Sequence, residues 1–329
     1  MRFRFRILIW LLGLTLGLPF RSPAPLYYTP GEGWYYEPFG QKADWMRSRA
    51  QDQLAVAEES FTNGDYAVAL RAARRVVRLW PLSDYAPRAE YLIGRCLEKA
   101  HRDEAAFNAY ETIIQKYPGS AQYEDILWRQ YLIADRFLHG EFFRLWNTIP
   151  FYRSMDRTAR LFGTIVTNGP YSDVAPHAQL RIGVAREKQR DYEEAVKAYE
   201  TAADRYANLP VIAADALFRE GVAYSKEAAA AEYDQSTADK AIAAFTDFLT
   251  LYPNDPRAAQ AQKAIASLNT VKVQGNFKIA QFYEREKKWA GAVIYYNEVL
   301  QLNPNSPYAA RARQRIEALK PRLQQVAHR

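Results

Sequence analysis

Gly94-Arg95-Cys96-Leu97-Glu98-Lys99-Ala100-His101-Arg102-Asp103-Glu104-Ala105-Ala106-Phe107-Asn108-Ala109-Tyr110, running on to Pro118, is the stretch whose spacing decides the fold. Counted from Gly94, Ala106 lies at 12, Tyr110 at 16 and Pro118 at 24. That pattern predicts two helices closed into a hairpin. A small residue on the first helix lets the second approach, Ala and an aromatic fill the crossing, and Pro stops the second helix. The same ruler fits Ala57, Ala69 and Pro81, and again Ala280, Ala292, Tyr296 and Pro304. It also fits Gly183, Ala195 and Tyr199, with Ala207 where Pro would stand.

These are the offsets of the tetratricopeptide repeat (TPR). Two further copies carry insertions: Gly221 is followed late by Ala241, Phe245 and Pro253, with extra residues near 227–237, and Ala134 reaches its terminator Pro170 after extra residues near 139–155. Restart signals follow each stop. Ser83, Ser120, Ser172 and Ser306 are expected as N-caps, and Pro256 and Pro307 as first-turn residues. The fold class is therefore all-α, a right-handed superhelical TPR solenoid of about six helical hairpins. A C-terminal capping helix from Pro307 to Gln325 closes it, with Arg311, Arg313, Arg315 and Lys320 on its polar side.

Domain organisation follows from the repeat-free start. Residues 1–18 read as a signal peptide or short N-terminal anchor: Arg2, Arg4 and Arg6 precede an uncharged apolar run, Ile7 to Leu18, too short for an ordinary spanning helix. Thr15 and Gly17 fit one cleavage site, while Pro19 and Pro25 block others, so cleavage and an uncleaved anchor both stand. Residues 19–43 are a tether rich in Pro and aromatics, expected to be extended because five prolines forbid a helix. Its Trp34-Tyr35-Tyr36 cluster is either part of a plain tether or a docking element. The solenoid fills 44–329.

Composition excludes several function classes. The 329 residues carry 44 Lys+Arg against 37 Asp+Glu, a net +7 too dilute for a nucleic-acid stripe. One cysteine excludes a disulfide framework or thiolate metal site within this chain. His101, His139, His177 and His328 are scattered, and no nucleophile-elbow, phosphate-loop or zinc-protease motif occurs. The expectation is a binding protein, not an enzyme, with no cofactor. Cys96, two places after Gly94, reads as buried core.

The C-terminal half resembles a known family. Tyr233-Asp234-Gln235-Ser236-Thr237 precedes Ala241-Ile242-Ala243-Ala244-Phe245, and Leu251-Tyr252-Pro253-Asn254-Asp255 follows. Then come Phe277-Lys278-Ile279-Ala280-Gln281-Phe282-Tyr283-Glu284-Arg285, Trp289, Ala292 and Pro304-Asn305-Ser306-Pro307-Tyr308-Ala309. Over about residues 215–319 this is similar to the BamD-like outer membrane protein assembly factors. The resemblance implies a periplasmic, outer-membrane-associated scaffold that binds proteins of the outer-membrane assembly complex, with the C-terminal peptides of unfolded β-barrel clients as further candidate ligands. A periplasmic TPR adaptor for cell-wall or cell-division proteins is the alternative. Two departures stand out: the family's lipidated cysteine is missing, since no Cys precedes Cys96, and there is about one hairpin more than the family's usual five. Lipidation through Cys is accordingly not expected.

Two surfaces are candidates for binding. Arg88, Tyr91, Arg95 and Lys99 share one face of a first helix, expected to look into the concave groove. Three cations around a ring suit an extended peptide with a free carboxylate, while the competing reading makes Tyr91 core and pairs the charges with Glu90 or Glu98. Arg71, Arg74, Arg75 and Arg78 align on a second helix, either as a solvated face or as a surface for an acidic partner or lipid phosphates. Among the insertions, Phe142, Phe143, Leu145, Trp146, Ile149, Phe151 and Tyr152 are expected to pack on the solenoid, an exposed partner patch being the rival. Ser236 or Thr237 is expected to cap the helix carrying Ala241.

Overall fold

A computed structural model describes residues 26–29, 33–36, 44–120, 122–145, 149–230 and 235–327. The leader expected at 1–18, most of the tether, Trp146 and Asp234 lie outside them. The chain forms two compact units, residues 1–123 and 124–329.

In the first unit, strands β1 (Leu26–Thr29) and β2 (Gly33–Tyr36) precede two helical hairpins, α1 (Ala50–Thr62) with α2 (Tyr66–Leu79) and α3 (Ala86–Lys99) with α4 (Asp103–Lys116). The second unit holds all but the first residue of α5 (Tyr123–Leu138), then β3 (Phe143–Leu145), β4 (Ile149–Tyr152) and α6 (Met155–Asn168). Next come α7 (Ala175–Gln189) with α8 (Tyr192–Arg205), and α9 (Pro210–Ala230) with α10 (Gln235–Leu251). The unit ends on α11 (Ala258–Arg285) with α12 (Trp289–Leu302), then α13 (Pro307–Ala327). Among the described residues, six helix pairs and a final helix follow the TPR order that the spacing predicts.

The ruler residues are the hairpin cores. Ala57, Ala69, Ala106, Tyr110, Ala195, Tyr199, Ala241, Ala280, Ala292 and Tyr296 are all fully buried. A Cβ on Gly94 would stand 2.5 Å from the Tyr110 ring, and Gly183 is pressed closer still by Tyr199, so glycine there is a packing requirement. Each tyrosine hydroxyl then donates to the glutamate four residues after the small residue: Tyr110 to Glu98, Tyr199 to Glu187, and Tyr296 to Glu284 at 3.0 Å. A phenol buried this deeply needs such an acceptor. In the hairpin of α9 and α10 the aromatic is Phe245, and Ser225 stands where the glutamate would, donating to the Gly221 carbonyl at 2.7 Å.

Proline sets the hairpin ends. Trp80, Tyr117 and Asn303 each precede a proline, which disfavours helical backbone, and their φ,ψ pairs of −129, 55, of −131, 59 and of −154, 90 end α2, α4 and α12. The chain then makes a repeated turn in which the Ser83, Ser120, Ser172 and Ser306 amides donate to the carbonyl three residues back. Struts join successive hairpins: the Tyr117 hydroxyl donates to the Pro81 carbonyl at 3.0 Å and Tyr206 to that of Pro170 at 3.3 Å.

Several expectations are corrected. Ser83 and Ser172 do not cap helices; their hydroxyls donate backward to the Trp80 and Gly169 carbonyls at 2.8 and 2.6 Å, and the helices begin three residues later. Ser120 accepts from the Gln122 amide at 3.4 Å, and of the four serines Ser306 is the one that caps, accepting from the Ala309 amide at 3.0 Å. Asp65, Ser154 and Asp191 cap α2, α6 and α8. Pro256 lies before α11 rather than within it. Because α10 begins at Gln235, Ser236 and Thr237 belong to its first turn, and residues 227–230 of the 227–237 insertion continue α9.

Neither aromatic insertion is simple chain. Within the tether, residues 26–29 and 33–36 pair as antiparallel strands, Leu26 with Tyr36, and Tyr28 and Trp34 sit across the pair at 5.2 Å, both largely exposed. The 139–155 insertion is a second antiparallel hairpin, β3 with β4. It packs through Phe143, stacked on Phe137 at 4.1 Å, while Phe142 and Phe151 remain exposed. Alternation explains the split, since successive strand residues face opposite sides.

Candidate functional site

The first unit gathers side chains from α1 and α3. Arg88 is exposed and forms a 2.7 Å ion pair with Glu58 of α1. One turn on, Tyr91 is half-buried and packs on Tyr110 at 5.9 Å. Arg95 follows, with its guanidinium 5.4 Å from the Phe61 ring and 5.9 Å from the Tyr91 ring, donating to the Tyr91 hydroxyl at 3.4 Å. Two rings fix the plane of one cation, which has no ion pair among the described residues. Lys99 is exposed at the end of α3.

The four α3 residues therefore share a face, but their roles differ. Arg88 is held by Glu58, whereas Arg95 offers a preorganised fork for a carboxylate. Phe61 and Glu58 are the members that sequence spacing missed, because they come from another helix 30 or more positions away. Glu98 is committed to Tyr110, and Glu90 is buried, with burial raising its carboxyl above the usual range and Lys116 and Arg74 opposing that. Neither glutamate makes a hydrogen bond or ion pair to Arg88 or Arg95 in the described contacts.

The α2 arginines do not form one stripe. Arg71 lies 5.6 Å over the Trp45 ring, Arg74 and Arg78 are exposed, and Arg75 is buried at 5% exposure, with its guanidinium 6.0 Å from the Trp80 ring. The expectation of a common outward face fails at Arg75, because α2 buries two adjacent sides, against α1 and against α3. Cys96 is core, and burial pushes its thiol up to about 11, far from the thiolate that reactivity needs. His177 packs against Trp128 at 5.9 Å and Tyr131 at 6.5 Å. Among the described residues no group of His, Cys, Asp or Glu could hold a metal ion, and no helix is long and apolar enough to cross a membrane.

Comparison with known proteins divides along the chain. Residues 152–303 match the outer membrane lipoprotein family YfiO, and residues 55–121 match a tetratricopeptide repeat model. The first match lies wholly in the second unit, begins earlier than the resemblance read from sequence and stops before α13; the second contains Phe61 and all of α3. No curated protein matches the chain. Among solved structures, the C-terminal part of a TPR protein from Cytophaga hutchinsonii is 12% identical, covering 80% of this chain and 87% of that one at a TM-score of 0.39. A TPR protein from Parabacteroides merdae is 9% identical over 82% of this chain and 98% of its own, TM-score 0.35. MamA 41-end from Desulfovibrio magneticus RS-1 is 14% identical over 64% and 99%, TM-score 0.35.

Proposed function

For a TPR protein whose second unit is BamD-like, we propose a periplasmic protein-binding scaffold of the machinery that assembles β-barrel proteins in the outer membrane. Its client surface is the α1 and α3 face of the first unit, which takes the carboxylate end of an extended peptide. The observation that carries this is Arg95, whose guanidinium lies over the Phe61 and Tyr91 rings with no carboxylate partner among the described residues. A planar cation held by two rings loses little freedom on binding, and the flanking rings accept an aromatic side chain. Arg88 joins by exchanging Glu58 for the ligand, and Lys99 adds charge at the end of the helix. TPR families are scaffolds without catalytic machinery, and binding is the activity proposed.

The test is the affinity of a β-barrel C-terminal peptide, as free acid and as amide, for wild type and for Arg88→Ala/Arg95→Ala. The wild type should prefer the free acid by about tenfold, as expected for a charge-assisted pair, and the variant should lose that preference. Equal affinity of both proteins for the free acid overturns the site. Copurification with the barrel-forming subunit supports the scaffold role, whereas retention on peptidoglycan without it would mark the adaptor for cell-wall or division proteins.

A further inference from the structure

The end of the second unit carries a cavity of about 1040 Å³ open to solvent, lined among others by Lys278, Phe282 and Arg285 of α11, Trp289 of α12, and Arg315 and Arg322 of α13. Its charge is one-sided. Glu284 is the one acid of the lining, and it is already used: the Arg315 guanidinium holds it, with Nε at 3.1 Å, and the Tyr296 hydroxyl donates to it at 3.0 Å. Lys278, Arg285 and Arg322 remain without an ion pair among the described residues. Arg322 lies 4.8 Å over the Trp289 ring, which fixes its plane, and Phe282 is 50% exposed beside them.

We propose that this cavity binds an acidic linear peptide, its carboxylates paired with Lys278, Arg285 and Arg322 and an apolar side chain laid against Phe282. Spacing favours a peptide over a single phosphate. Lys278 and Arg285 are seven residues apart on one helix, about 10 Å along its axis, and Arg322 comes from another helix. An extended peptide sets alternate side chains about 7 Å apart and can reach such separated cations in turn. The volume sits at the upper end for ligand pockets, roughly 300–1,000 Å³, so it has room for several side chains. The net charge of +7 adds long-range attraction for an acidic segment. This site is independent of the first-unit reading, since it asks for side-chain carboxylates rather than a chain terminus.

The experiment uses the full chain and the fluorescein-labelled peptide Glu-Ala-Phe-Ala-Glu-Ala-Glu, whose Glu and Phe share one face when extended, blocked at both ends so that no terminal carboxylate is present. Saturable binding is expected, weakened at least about tenfold by Lys278→Glu/Arg285→Glu. Both positions are exposed, and Lys263→Glu on the same helix is the control, expected to shift affinity less than about twofold. The proposal is overturned by absence of saturable binding, by equal affinity in the double reversal, or by charge-dependent capture of phosphatidylglycerol vesicles in place of the peptide.

Discussion

Gly183 and Tyr199 carry the repeat at its tightest point. Gly183→Ala sets a methyl group against a buried ring whose hydroxyl is tied to Glu187, and the ring cannot retreat without breaking that bond. The substitution should cost about 1–3 kcal/mol, read as a lower urea midpoint with unchanged slope. A second residue-scale prediction concerns Glu220. Burial, then the neighbouring Glu200, Asp247 and Asp204, push its carboxyl up to about 7. Since the folded state holds this proton more tightly than the unfolded chain, stability is fully present below the unfolded value. It is lost as pH rises from about 4.5 through about 7. Glu220→Gln should flatten the fall in Tm between pH 5 and pH 8 and raise Tm at pH 8; a variant whose Tm tracks the wild type at both would contradict the assignment.

At the scale of elements, the β3 and β4 hairpin shows how an insertion is both anchored and exposed. Phe143 is buried against Phe137, and the Arg157 guanidinium lies 4.5 Å from its ring. Phe143→Ala should cost about 3–5 kcal/mol, because the emptied site lies among packed rings. Phe151→Ser, at 63% exposure, should stay within about 0.5 kcal/mol by thermal denaturation. Helix starts give another measurable term. Asp65 and Asp191 accept from the Val68 and Glu194 amides, and Asp→Ala at either should lower stability by about 0.5–2 kcal/mol.

At the scale of the molecule, a terminal hairpin leaves an apolar side uncovered, so the last helix closes the second unit. Ala309, Ala312 and Leu319 of α13 are buried in one cluster with Phe277, Tyr296 and Val299. Removing residues 307–329 should uncover that cluster, and protease cleavage within α11 and α12 should appear in the truncated chain before it appears in the full one. The same truncation removes Arg315 and Arg322 from the acidic-peptide cavity while leaving the α1 and α3 face intact.

The hairpins were legible in the sequence because their cause is local: a small residue, an aromatic 16 positions on and a proline at 24 meet within one supersecondary unit, and the fixed pitch of two helices turns spacing into contact. Arg88, Tyr91, Arg95 and Lys99 were legible as a face for the same reason. What spacing cannot express is which element lies opposite. Only the tertiary structure brought Phe61 and Glu58 to that face, buried Arg75 out of an apparently uniform arginine stripe, turned Ser83 and Ser172 into turn locks, and folded the tether and the 139–155 insertion into strand pairs. Each depends on contacts between segments far apart in sequence or on a competition among nearby backbone partners, and burial, not composition, decides both.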